Sequence, residues 1–402
     1  MEHKYWNLFD HIHEELTEYY FRWYFDRPVV VTMQRDEELH QIQRLLVKCL
    51  HFYAQHYEEY LDIIPYDEQI LSVLEMTRGK EYRLGTFRPD YVISKNDEIL
   101  VCEITSRFFG NGYFLSFFAD KRGKELAEAA GIRSDDGRME EMLAFFASLA
   151  DDCKKVCVVK SSDRSDSIRL YVPFYRALGK EVVVLEADEI KDREDALCDS
   201  LILSALNQKD LLRLPQRILK RMAEQPHYND FRSVFLAHDK RLFTLFFQDD
   251  FTGRFLTAEE TGFLRSHVIP TAVRGNRPEM WEDARKHKDG YIVKHSCLGK
   301  SEKVYAGCMT DQDQWDMLFD SGQISEMILQ PFISQRTHPN RWEGKDYTEY
   351  ISGTILCVDD SYYGTGLFRS SSLPVLNKGD DRKAGMIVTD EFDKFKGNCL
   401  FL

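Results

Sequence analysis

The chain has 402 residues, 43% hydrophobic and 13% aromatic, enough to bury a large core and to build two or three packed subdomains. Lys plus Arg total 53 against 67 Asp plus Glu, a formal net charge of −14 that repels phosphate polymers and anionic membrane surfaces unless basic residues cluster locally. Extensive disorder and a dedicated nucleic-acid-binding role are thereby excluded. Apolar runs such as Val182 to Leu185 fall far short of the roughly 20 residues that span a bilayer. The start, MEHKYWNLFDHIHEELTEYYFRWYF, is acidic where a secretory signal needs a basic and then apolar segment, so the expectation is a soluble cytoplasmic protein. Nine cysteines are scattered without a CxxC pair, which disfavours structural zinc and points to reduced thiols packed as small hydrophobes.

Residues 1 to about 76 carry apolar residues at three and four spacing, as in LHQIQRLLVKCLHFYAQHYEEYL, and predict a helical layer broken at Pro28. From Tyr82 the period changes. TFRPDYVIS and EILVCEIT flank the polar turn KND and predict an antiparallel hairpin, after which KRGKELAEAAG and MEEMLAFFASLADD return to helix. Strand KVCVVKS, loop SDRSDS, helix IRLYVPFYRALG and strand KEVVVLEA form a βαβ unit with a buried parallel sheet. It is Rossmann-like in layout only, since no glycine-rich phosphate loop follows its first strand. Residues 192 to 285 read as mostly helical, with a capping box at Thr257 and Glu260 that starts a helix ending before Ile269-Pro270. After Pro278 strands dominate: YIVK, KVYAG, EMILQPFI, TEYISGTILCVD, YGTGLFRSS and GMIVTD.

Four constellations carry candidate chemistry. Arg88 and Asp90 lie on one hairpin strand; on its partner, period 2 places Glu103, Thr105 and Arg107 on one face and Cys102 and Ile104 on the other. Carboxylates on apolar strands need partners, which a divalent cation or a neighbouring arginine supplies. In YIVKHSCLGKSEKVYAG, Lys294 ends a strand and Gly299, Lys300 and Ser301 follow in a polar loop, an arrangement suited to nucleotide phosphates or to a solvated basic hairpin. EMILQPFI offers an adenine apolar contact at Met327 or Ile328 and main-chain hydrogen bonds, or is an ordinary core strand. In GTGLFRSSS, Arg369 either snorkels outward or presents its planar fork to an anion, and Lys383-Ala384-Gly385 offers a second loop over a ligand.

Taken in order, these segments resemble the circularly permuted ATP-grasp ligases, nearest to glutathionylspermidine synthase and eukaryotic-type glutathione synthetase, over about residues 82 to 390. RPDYVIS and EILVCEIT resemble that family's R-x-D and E-x-N segment, HDKRLFTLFFQDDFTGRFLTAEETGFLRSHVIPT its NK-containing helix, and YIVK with MILQPFI its lysine strand and adenine hinge. GLFRSSS resembles its late arginine segment and KAGMIV its closing loop.

The resemblance implies a mixed α/β (α+β) fold: an N-terminal helical region over 1–80, the first part of an ATP-grasp core over 81–150, an inserted βαβ subdomain over 151–275, and nucleotide-binding strands with a lid over 276–402. It implies ATP and Mg²⁺ as cofactors and amide formation between a small-molecule carboxylate and an amine (amino acid, peptide or polyamine), with neither nucleic acid nor membrane as partner. The implied substrate contacts are Arg88 and Arg369, the implied nucleotide contacts Lys294, Lys300, Ser301, Met327, Gln330 and Lys383, and the implied metal ligands Glu103, Thr105 and Asp90.

The chain departs from the family in having Thr105 for the asparagine of E-x-N, Leu298 for the glutamate of K-x-x-x-E-G, and a glycine run reduced to Gly299. These departures keep a nucleotide-binding protein without turnover as an alternative. A nuclease of the PD-(D/E)xK type is a further one, although Thr105 replaces its lysine. The aromatic N-terminal helices offer a face for a homodimer.

Overall fold

Pro28 does break the N-terminal helical pattern, but the residues directly after it form a strand. In the computed structural model, which describes residues 4–12, 22–132, 134, 138–161, 167–376, 382–395 and 400–402, Val29–Val31 form the buried strand β1. Three successive valines favour extended backbone because a β-branched side chain is restricted in a helix. Helices Lys4–Ile12 and Met33–His56 stand on either side, while the helical reading of residues 13–21 lies outside the described residues. Thr32 caps the longer helix by accepting the Arg35 N–H at 3.2 Å, and Leu39, Ile42, Leu46, Cys49 and Tyr53 bury its apolar stripe.

The predicted hairpin is present as β2 (Thr86–Ile93) and β3 (Ile99–Thr105), with Asp97 at φ 63° in its turn. Helices Tyr113–Ala129 and Arg138–Ser148 follow. Next come β4 (Lys155–Lys160), helix Ser167–Ala177 and β5 (Glu181–Glu186), the two strands paired in parallel as the apolar pattern requires. Residues 162–166 of the connecting loop lie outside the described residues.

The helical reading of residues 192–285 is corrected by β6 (Ser200–Ala205), every residue of which is buried beside β4, and by the short β7 (His227–Tyr228). A six-residue apolar run has the same composition in a buried strand and a buried helix turn, so periodicity alone does not separate them. The Thr257 capping box forms as expected: Thr257 Oγ1 accepts from Glu260 N at 3.1 Å and Thr257 N donates to Glu260 Oε2 at 3.0 Å.

Beyond it, β8 (Ala272–Val273), β9 (Tyr291–His295), β10 (Val304–Ala306) and β11 (Met327–Pro331) form an antiparallel sheet in the order β10-β9-β11-β8. The chain then adds β12 (Thr337–Trp342), β13 (Lys345–Val358), β14 (Ser361–Thr365), β15 (Phe368–Ser371), β16 (Arg382–Ala384), β17 (Met386–Val388) and β18 (Leu400–Phe401). β12 carries Pro339, which hides a strand from sequence reading and suits its place beside β13 alone.

The largest sheet runs β16-β15-β13-β2-β3, with β12 and β14 also on β13, while β17, β1 and β18 make a small parallel sheet. The main core, including Phe87, Tyr91, Ile104 and Ile355, lies under the large sheet, and Val293, Trp315, Met327 and Leu329 belong to a separate core under the β9 sheet. The fold is thus mixed α/β with several sheets. Among the described residues no helix is long and apolar enough to cross a membrane.

Candidate functional site

The large sheet and the β9 sheet face each other across a cavity of about 840 Å³. Seven cationic side chains line it: Arg88, Arg107, Lys240, Lys294, Lys300, Arg369 and Lys383. Among the described residues, two carboxylates, Asp90 and Glu103, stand against them. The local sign is therefore opposite to that of the whole chain, which fits the cavity to an anion.

One wall is the β2–β3 hairpin, and its register explains which side chains reach the cavity. Arg88 pairs Thr105 and Asp90 pairs Glu103, but Tyr91 pairs Val101, so Cys102 is an extra residue in β3. Such a bulge breaks the two-residue alternation and re-aims the side chains around it. Cys102 joins Glu103 and Thr105 in lining the cavity while Ile104 is buried in the core, which corrects the expectation that Cys102 and Ile104 share the opposite face.

Arg88 grips Asp90 with two bonds, Nε to Oδ1 at 2.7 Å and Nη2 to Oδ2 at 3.1 Å, and donates a third to Asn111 O at 2.9 Å. Burial raises the Asp90 carboxyl above its usual range despite Arg88. Gly112 lets this happen: its φ of 87° suits glycine, and a Cβ there would collide with Arg88 Nη1.

Glu103 faces a different cation. Lys240 is 2% exposed, its Nζ donates to Leu298 O at 2.7 Å and lies 3.3 Å from Glu103 Oε2. Burial works against the Glu103 carboxylate, but Lys240 and then Lys294 outweigh it and pull the carboxyl down to about 2. Lys240 sits in a short helical stretch, Lys240–Phe247, whose first turn is fixed by Asp239 accepting from Arg241 N at 2.9 Å. His238 has Nδ1 3.1 Å from Ile104 O and Nε2 3.2 Å from Cys297 O, and burial, together with Lys240 and Arg107, pushes its pKa down to about 3, so the neutral ring donates to only one of these carbonyls. Sequence reasoning does not single out Lys240. The signal available is its place in HDKRLFTLFF, where a lysine opens an otherwise apolar stretch.

The opposite wall is the β9 sheet with the loop that follows β9. Lys294 on β9 lies between Ile328 of β11 and Val304 of β10 and reaches the same cavity as Glu103. Lys300 and Ser301 line the cavity in left-handed backbone, φ 55° and 58°, and Ser301 Oγ donates to Leu376 O, tying the loop to the segment after β15. Non-glycine residues held in that region are uncommon and concentrate at ligand clamps.

Two predicted adenine contacts fall elsewhere. Met327 is fully buried with Val293, Trp315 and Leu329, because on β11 it alternates with the residues on the cavity side. Gln330 is also fully buried and donates to Thr271 Oγ1 at 2.9 Å. The apolar wall is instead Ile292, Val304, Phe332 and Val375.

At the far end, Arg369 on β15 pairs Lys383 on β16, and both line the cavity. Lys383-Ala384 is thus strand rather than the loop expected, its backbone held by Lys383 N donating to Trp23 O at 2.9 Å.

The expected magnesium ligands do not form a ready cation site. Among the described residues no group of three or more His, Cys, Asp or Glu side chains converges. Asp90 is taken by Arg88 and Glu103 faces Lys240, while Leu298 brings no side-chain oxygen. With Asp90 held by Arg88 and Glu103 by Lys240, the described residues of the cavity wall leave no free carboxylate to hold Mg²⁺ by themselves. A polyphosphate does fit, because the cations outnumber the carboxylates.

Residues 42–236 match a family model described as the AnkG N-terminal domain. The match includes Arg88, Asp90, Glu103, Thr105 and Arg107 but stops short of Lys240, Lys294, Arg369 and Lys383, so it spans one wall of the cavity. No match was found among curated proteins.

Proposed function

We propose that the chain binds ATP in this cavity and uses it for carboxylate–amine ligation, on a circularly permuted ATP-grasp-like arrangement of the two facing sheets. The observation that carries the reading is that Glu103 and Lys294, far apart in sequence and on different sheets, line one cation-rich cavity. The base packs in the apolar wall of Ile292, Val304, Phe332 and Val375. The phosphates lie along Lys294, Lys240 and Lys300, and the planar forks of Arg88 and Arg369 orient the carboxylate substrate.

In the reaction a carboxylate oxygen bonds to the γ-phosphorus as its bond to the β-bridging oxygen breaks, giving an acyl phosphate and ADP. An amine nitrogen then bonds to the acyl carbon, loses a proton, and phosphate leaves. Cations held in place before reaction stabilise the charge that spreads over the transferred oxygens, and holding both substrates removes the entropy cost of their encounter. All eight described cysteines are free thiols, which suits the reducing cytoplasm.

A screen for ADP release with pooled carboxylates and amines tests this. Product in one pool, lost in Lys294→Ala, supports ligation; ATP binding without turnover in any pool supports the second reading, a nucleotide-binding protein without chemistry. Lys240 against Glu103, and Leu298 in place of a carboxylate, are the observations that favour the second reading.

A further inference from the structure

Resting on the reading of the cavity as a nucleotide site, we infer that it takes the triphosphate without a divalent cation, Lys240 occupying the place that a metal ion would hold between Glu103 and the phosphates. Lys240 is 2% exposed and anchored by Leu298 O at 2.7 Å, so its ammonium is fixed before any ligand arrives. It lies 3.3 Å from Glu103 Oε2, a carboxylate of the cavity wall that Arg88 does not hold. The backbone oxygen of Leu298, a residue that also lines the cavity, accepts from Lys240.

Lys240 cannot neutralise a triphosphate alone, but Lys294 and Lys300 line the same cavity from the opposite wall. Three ammonium groups without a metal do for the phosphates what a metal and fewer lysines do elsewhere: each is a compact point charge that offers several donors. The charge they neutralise is set by the protein and does not depend on free Mg²⁺. The ligand class is therefore the free nucleoside triphosphate rather than its magnesium complex.

The test is calorimetric titration of the full chain with ATP in excess EDTA and again in excess MgCl₂. The expected result is dissociation constants within about threefold of each other, a difference under about half a tenfold step on the affinity scale. Lys240→Met is expected to weaken binding in EDTA by about tenfold or more, the loss of a charge-assisted contact, and to recover part of it in MgCl₂. Binding only in MgCl₂ overturns the inference and leaves the nucleotide site standing, whereas no binding in either buffer overturns both. If circular dichroism shows Lys240→Met unfolded, the two titrations of the unmodified chain decide by themselves.

Discussion

Two groups of buried charge sit on the same large sheet and are built to opposite plans. Glu349 on β13 is 2% exposed and closed on all sides: Arg382 bonds both its oxygens, Ser370 Oγ donates to it at 2.7 Å, and the Tyr347 ring lies 4.4 Å from the Arg382 guanidinium. Around Arg88, Asp90, Glu103 and Lys240 the carboxylates are also paired, but the group opens onto a cavity to which Lys294, Lys300, Arg369 and Lys383 add further positive charge. A closed, saturated pair contributes to holding the fold, whereas an open group in which cations outnumber carboxylates is suited to receiving an anion.

Breaking the closed pair gives the largest expected effect on stability. Glu349→Ala removes the buried carboxylate that binds Arg382 and Ser370 and is expected to cost about 3–5 kcal/mol. Urea unfolding monitored by circular dichroism reads the loss, while ATP affinity of the folded fraction stays unchanged. Lys294→Ala sharpens the comparison from the other side. Its unfolding midpoint is expected to move little, with a change within about 1 kcal/mol, because it removes one of several like charges. Its ATP affinity is expected to fall by about tenfold or more, the worth of a charge-assisted bond.

Gly112→Ala lies between the two. A Cβ at φ 87° meets Arg88 Nη1, so the expected cost is about 1–3 kcal/mol of stability together with weaker binding of the carboxylate substrate. Parallel unfolding and substrate-saturation measurements separate the two losses.

Acid is the gentlest probe. The Glu103 carboxyl is depressed in the folded state, so its contribution is complete above its ordinary value of 4.5 and is lost as pH falls toward about 2. His238 is also depressed, from 6.5 to about 3, so the unfolded chain takes up a proton first and stability falls as pH drops below 6.5. Urea midpoints of the unmodified chain are expected to decline between pH 7 and pH 5, and those of His238→Asn to decline less. Equal slopes would remove His238 from the explanation.

Much of this is legible in the sequence where the signal is local. The KND turn, the paired apolar strands around IRLYVPFYRALG and the Thr257 capping box each depend on residues a few positions apart, and each forms as read. The features that escape depend on distant partners. β1 is a strand because β17 and β18 flank it, and β6 because β4 lies beside it; three valines or six apolar residues do not announce such neighbours.

The site shows the same division. Arg88, Asp90, Glu103, Thr105, Lys294, Lys300, Ser301, Arg369 and Lys383 do come together around one cavity. Met327 does not, because its pairing with His295 puts it on the face of β11 turned away from the cavity, and Gln330, on the same face as Ile292, is covered and donates to Thr271 instead. The bulge at Cys102 leaves no periodic trace in EILVCEIT, and Lys240 reaches Glu103 only through tertiary folding.

The central claim is that the cationic cavity between the two sheets is a triphosphate site in which Lys294 and Glu103 face the same ligand. Calorimetric titration of the unmodified chain with ATP and, separately, with AMP tests it most directly. ATP is expected to bind at least about tenfold more tightly than AMP, since only the triphosphate reaches the lysines of both walls. Equal affinity for the two nucleotides, or no heat with either, would contradict it.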